Sequence, residues 1–200
     1  MAPPTTSYHH GDLPNALVRA AMELLEERGS ADVSLRAATR RAGVSSAAPY
    51  RHFADRDALL SAVAAVGFRD LAQDLAQAHP APATPEGLAA VATAYVRFAL
   101  ARPGLFRIMF GEPCHPDRPE ALAAAEVIRD YVKALVQQAF PSADPAAMTM
   151  AVWALVHGLA CLHLDGKLAS ESSEIVAAQV GAAVMAALGS TDVDAAHTAG

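Results

Sequence analysis

Residues 34–60, SLRAATRRAGVSSAAPYRHFADRDALL, leave the chain few choices other than short helices joined by a tight turn. Ser34 can cap a helix through its hydroxyl, and Leu35, Ala38 and Ala42 lay an apolar stripe along that helix. Gly43 falls where the chain must turn sharply, a position that favours a residue tolerant of positive φ. Ser45 can cap a second short helix, on which Tyr50 and Phe53 lie three residues apart, and Asp55 can cap a third. A short helix held after a glycine turn, with small polar residues at its exposed start, has the shape that enters a DNA major groove.

The rest of the chain is helical in period as well. A first helix is expected from about Asp12 to Arg28, stopped by Gly29. A long helix follows from Asp55 to about His79, then one capped by Thr84 with Pro85 at its first position. Arg102-Pro103-Gly104 should break that helix ahead of a short apolar one, Leu105 to Phe110. Further helices are expected over about 117–140, 145–164 and 171–188. No period-two pattern and no internal repeat occur, so the fold class is all-α. The domain reading is a tail at 1–7, a DNA-binding unit at 8–56, a larger helical domain at 57–189 and a tail at 190–200, both tails disordered.

Composition narrows the setting. Cys114 and Cys161 are too few for a disulfide framework, which fits a reducing cytoplasm. No uninterrupted run of about 18 apolar residues argues for a membrane span, and the N-terminus lacks the design of a secretory signal. The net charge of −6 conceals an asymmetry: residues 1–56 carry +1 and the remainder −7. Four arginines lie between residues 36 and 51 with His52 beside them, and DNA binding needs a local positive face rather than a basic protein.

Ala42-Gly43-Val44-Ser45, Tyr50, His52-Phe53, Arg56 and Leu59-Leu60 together resemble the helix-turn-helix signature of the tetracycline-repressor (TetR) family of bacterial transcription regulators. Tyr8 to Leu13 and the apolar residues after it resemble that family's first helix. Residues 102–110 and Trp153-x-x-x-His157-Gly158 resemble a subgroup marked by a Trp-His-Gly motif in its C-terminal domain. Three positions depart from the family pattern. Ala38 stands where a bulky aliphatic residue is usual, Thr39 where Ala is usual, and Pro49 where an aliphatic residue is usual. Pro49 costs one early helix hydrogen bond and should push the turn toward a 3₁₀ form.

The resemblance implies a homodimer on palindromic double-stranded operator DNA, released by a small apolar effector of unknown identity, with no cofactor. Ser46 and Ala47 are placed for base edges. Tyr50, His52 and Arg56 are read as phosphate contacts. Ser34 and Arg36 approach the backbone by resemblance, and Ser45 and Arg51 complete the face. Tyr50 as plain core is the competing reading. An effector pocket is expected from Tyr95, Phe98, Phe106, Met109, Phe110, Trp153 and His157, against a reading of these as ordinary core. Helix 145–164 is apolar on nearly every side, so a partner subunit is the natural cover. Val152, Leu155 and Leu159, with Val176, Val180 and Val184 of the last helix, are therefore expected at a two-fold interface. Burial of these residues within one chain is the alternative.

Cys114, His115, His157 and His163 lack chelating spacing, as do His9, His10 and Asp12, so no metal site is expected. No nucleophile or paired-carboxylate motif stands out. An all-helical enzyme using His157 as base, or a helical interaction protein without DNA binding, are the other function classes.

Overall fold

In the computed structural model, which describes residues 12–45, 49–79, 83–111, 119–169 and 172–189, the chain forms eight α-helices and no strand among the described residues. They are α1 (Leu13–Arg28), α2 (Leu35–Ala42), α3 (Arg56–Ala78), α4 (Pro85–Ala101), α5 (Pro103–Gly111), α6 (Pro119–Ala139), α7 (Pro145–Leu164) and α8 (Ser173–Gly189). Two 3₁₀ turns, Ser30–Asp32 and Pro49–Arg51, join the elements of the N-terminal head. The expected tails, Ser46, Ala47, the His9-His10 pair and the Cys114-His115 loop lie outside the described residues.

Helix starts follow the expected chemistry. The Ser34 hydroxyl accepts from Ala37 N at 3.1 Å, the Asp55 carboxylate from Ala58 N at 2.7 Å and the Thr84 hydroxyl from Gly87 N at 3.1 Å. Each satisfies an otherwise orphaned N–H and contributes about 1 kcal/mol. Gly43 ends α2 at φ 68°, ψ 27°, the left-handed region where a Cβ is penalised. α4 ends at Ala101 with Arg102 as its cap, so the helix breaks where expected, at Pro103. Pro103 itself opens α5, where its missing N–H costs nothing.

The head is a three-helix unit. Leu17, Ala21, Leu24 and Leu25 of α1 meet Val33, Leu35, Ala38, Phe53, Leu59 and Leu60 in one core. Ala38 is fully buried, so the space that a bulkier residue would take is closed by tight packing. Thr39 is buried too, its hydroxyl donating to the Leu35 carbonyl at 2.6 Å. Its polar atom is thus satisfied within its own helix.

α3 leaves the head and continues without interruption into the body, where it packs on α4, α5 and α6. α5 is wedged between head and body. A Cβ on Gly67 of α3 would lie 2.7 Å from the Met109 sulfur, and one on Gly104 of α5 would lie 3.2 Å from the Leu25 side chain of α1. Arg102, between α4 and α5, pairs with Asp70 of α3 at 2.7 Å and stands over the Phe98 ring at 5.5 Å.

The expected subunit interface needs correction. Val176, Val180 and Val184 are at most 2 % exposed, because α8 lies along α4 and turns this stripe into its own subunit. Val152 is buried as well. What α7 leaves outward keeps Leu155 and Leu159 of the expected set, both half-buried, and adds Met150 (72 % exposed), Ala151, Ala154, Gly158 and Leu162. By length and composition α7 could cross a membrane, carrying 20 residues with only 28 % of its apolar window buried. Thr149 and His157 interrupt it, so it is not the uninterrupted apolar run expected of a membrane span. In this fold its inner face packs on α4 and α6.

Candidate nucleic-acid interface and apolar chamber

The head exposes several basic and hydrogen-bonding side chains. Arg36 on the first turn of α2, Ser45 after the glycine turn, and Tyr50, Arg51 and His52 on and after the second 3₁₀ turn are all exposed. Tyr50 is 54 % exposed, which removes the core reading. Phe53, three residues on, is buried and anchors the segment from inside. Ser34 is half-buried and its oxygen is occupied as the α2 cap. Pro49 starts a 3₁₀ turn whose carbonyl accepts from both His52 N and Phe53 N at 2.9 Å. The proline therefore tightens the helix locally, as its missing donor requires.

Two arginines of the basic cluster do other work. Arg41 reaches back from α2 to α1, donating to Glu23 at 3.1 Å and bidentately to Glu27. The hydrogen bond from Arg41 holds the Glu27 carboxyl below its ordinary range. Arg56 donates through Nε to the Val33 carbonyl at 2.8 Å and through Nη2 to the Ser30 carbonyl at 2.7 Å. Sequence pattern shows that an arginine stands at these positions. It does not show which way the side chain folds.

A small cavity of about 40 Å³ lies in the body. Its walls are Leu75 of α3, Leu88, Val91, Ala92 and Tyr95 of α4, Val132 and Leu135 of α6, and Val152, Trp153 and Val156 of α7. No charged side chain lines it. Of the seven residues expected to share a pocket, Tyr95 and Trp153 are in the wall. Phe106, Phe110 and His157 form an aromatic cluster behind them. The Phe106 and His157 rings stack at 5.4 Å, and Phe110 meets Trp153 edge-on at 6.2 Å. Phe98 turns under Arg102 and Met109 against Gly67, so neither belongs to the cavity wall. Leu75, Leu88, Val91 and Leu135 all lie on apolar stripes visible in the sequence. Nothing in a stripe distinguishes a cavity wall from a filled core.

One polar contact bridges cavity and cluster: the Tyr95 hydroxyl and His157 Nδ1 are 2.9 Å apart. Burial pushes the Tyr95 phenol up and the His157 imidazole down. Both shifts favour neutral groups. Among the described residues no group of three or more His, Cys, Asp or Glu could hold a metal ion.

A helix-turn-helix head with exposed basic side chains, carried by a helix rooted in a larger helical body, defines a DNA-binding regulator. Comparison with known proteins specifies the family. Residues 17–63 match the model of bacterial regulatory proteins of the tetR family, and residues 88–188 match a tetracyclin repressor-like C-terminal domain. The chain is 32 % identical to a structurally characterised Rhodococcus sp. RHA1 protein of unknown function. The match has a TM-score of 0.77 and covers 92 % of this chain and 99 % of the other. A TetR/AcrR-family regulator from Thermobifida fusca shares the fold at 19 % identity and TM-score 0.65, over 87 % of this chain and 97 % of its own. The HTH-type transcriptional regulator Rv1816 of Mycobacterium tuberculosis is 29 % identical over 119 residues, 56 % of this chain. The alignment spans about half, 51 %, of that relative's length. The chain belongs to the TetR family of transcription regulators.

Proposed function

We propose that the chain is a cytoplasmic, ligand-responsive repressor rather than an enzyme, acting as a homodimer on a palindromic operator. One observation carries the reading: α3 is a single 23-residue helix that begins at the basic head and brings Leu75 into the wall of the apolar cavity. At 1.5 Å per residue it spans roughly 35 Å. A shift imposed at the cavity therefore reaches the head without crossing a joint.

Ser34, Arg36, Ser45, Tyr50, Arg51 and His52 would meet the DNA, chiefly through phosphates that fix register. The effector would be uncharged. An ionised group in a cavity without a counter-charge costs several kcal/mol, far more than its apolar contacts return. The cavity as it stands is well below the roughly 300 Å³ of a working ligand site. Binding must therefore part α4, α6 and α7, and that separation would change the spacing of the two reading heads. The outward stripe of α7, with Ile175, Ala178 and Ala182 of α8, supplies the subunit interface. Exposed apolar faces of this extent mark interaction sites.

The test is direct. Operator-bound protein is titrated with a panel of uncharged apolar compounds while anisotropy of labelled DNA and emission of Trp153 are recorded together. A compound that releases DNA and shifts Trp153 emission over one concentration range supports the reading. Release without any change at Trp153 would place the effector elsewhere.

A further inference from the structure

We propose that Arg56 is a positioning residue that sets the placement of the reading face, and that it does not neutralise a DNA phosphate. The inference rests on the DNA-binding reading above. The guanidinium is already engaged on two sides. Nε and Nη2 hold the carbonyls of Val33 and Ser30, which lie 23 and 26 residues earlier in the chain. Val33 is 1 % exposed and directly precedes Ser34, the cap of α2. Arg56 itself is the first residue of α3. The fork thus ties the first turn of the body's long helix to the point where the helix-turn-helix begins.

Charge points the same way. Nη1 lies 3.8 Å from the Asp57 carboxylate, and Asp55 caps the same helix end. A phosphate drawn to Arg56 would meet both carboxylates. Arg36 and Arg51, by contrast, are exposed and make no hydrogen bond or ion pair among the described residues. The two backbone carbonyls need a planar fork with separated donors. A lysine ammonium carries the same charge as a single point and cannot span both. Arg→Lys therefore separates bracing from charge, which an alanine substitution alone cannot do.

The experiment compares wild type, Arg56→Lys and Arg56→Ala on an operator recovered by selection and on a scrambled duplex of equal length. Affinities are measured over a range of salt, well below each variant's melting temperature. Both variants should lose about tenfold in operator affinity, as expected for charge-assisted bonds. Both should keep their affinity for scrambled DNA and the wild-type salt slope. A phosphate contact gives another pattern: Arg56→Lys holds operator affinity, and Arg56→Ala lowers the slope by about 0.9. That pattern would overturn the proposal. So would variants that melt earlier yet keep the full operator preference. A wild-type protein with no preference for any site would defeat the DNA-binding reading itself, before any variant is made.

Discussion

Gly158→Ala gives opposite signs according to what covers α7. Gly158 lies on the outward stripe of a helix, and a Cβ built there meets nothing within 4 Å in the isolated subunit. Within one chain the substitution then acts only through helix propensity, which favours Ala over Gly by about 0.8–1.0 kcal/mol. If the stripe packs on a second copy, the glycine is a point of close approach, and each dimer gains two methyl groups in a filled seam. Overpacking costs typically about 1–3 kcal/mol per site. Two sites cost about 2–6 kcal/mol, so the seam loses at least about 2 kcal/mol. That is a rise of roughly thirtyfold or more in the dimer dissociation constant. Sedimentation velocity across a dilution series reads that constant, and urea melts at two protein concentrations read stability. The expected result is weaker dimerisation together with a melt that depends less steeply on concentration once the dimer dissociates in the range measured. A variant that is more stable, with unchanged association, would refute the assignment of this stripe to the interface.

Two further outcomes test the body. Burial lowers the His157 pKa below its ordinary 6.5, so the unfolded chain takes up a proton first as pH falls. Stability is therefore full above about pH 6.5 and declines below it. His157→Gln should flatten that decline in urea melts between pH 7 and 5, and an unchanged slope would remove His157 as its source. Gly67→Ala should lower stability by about 1–2 kcal/mol. The Cβ would stand 2.7 Å from the Met109 sulfur, and an overpacking cost of up to about 3 kcal/mol outweighs a propensity gain of about 1. A neutral or stabilising result would show that α5 is not pinned to α3 at this crossing.

Local chemistry made most of this fold legible in the sequence. Ser34, Asp55 and Thr84 cap the helices expected of them, and Gly43 takes the left-handed conformation its position requires. Such signals involve a residue and its next few neighbours, so no tertiary information is needed to read them. Pro103 was ambiguous for the same reason: a proline ends one helix and opens another by one mechanism, its missing N–H. The faces of α7 and α8 were not legible. Both helices are apolar nearly all round, so no polar stripe says which side looks inward. Val180 faces α4 rather than a partner because of how α8 is laid down, which its own residues do not specify. Arg56 and Arg41 stand in a basic cluster that suits DNA, yet their side chains turn to carbonyls and carboxylates brought near by folding. In the expected effector region, Tyr95 and Trp153 reached the cavity wall, and Phe106, Phe110 and His157 filled the space behind it, while Phe98 turned under Arg102.

The most direct measurement of the central claim is selection of DNA fragments by the purified protein, followed by footprinting of what is recovered. Enrichment of one pseudo-palindromic site is expected. Its half-sites should lie about one helical turn apart or a multiple of it, protected at both halves, with affinity that falls steeply as salt rises. Recovery of fragments with no shared sequence, bound no better than random duplex at every salt concentration, would contradict it.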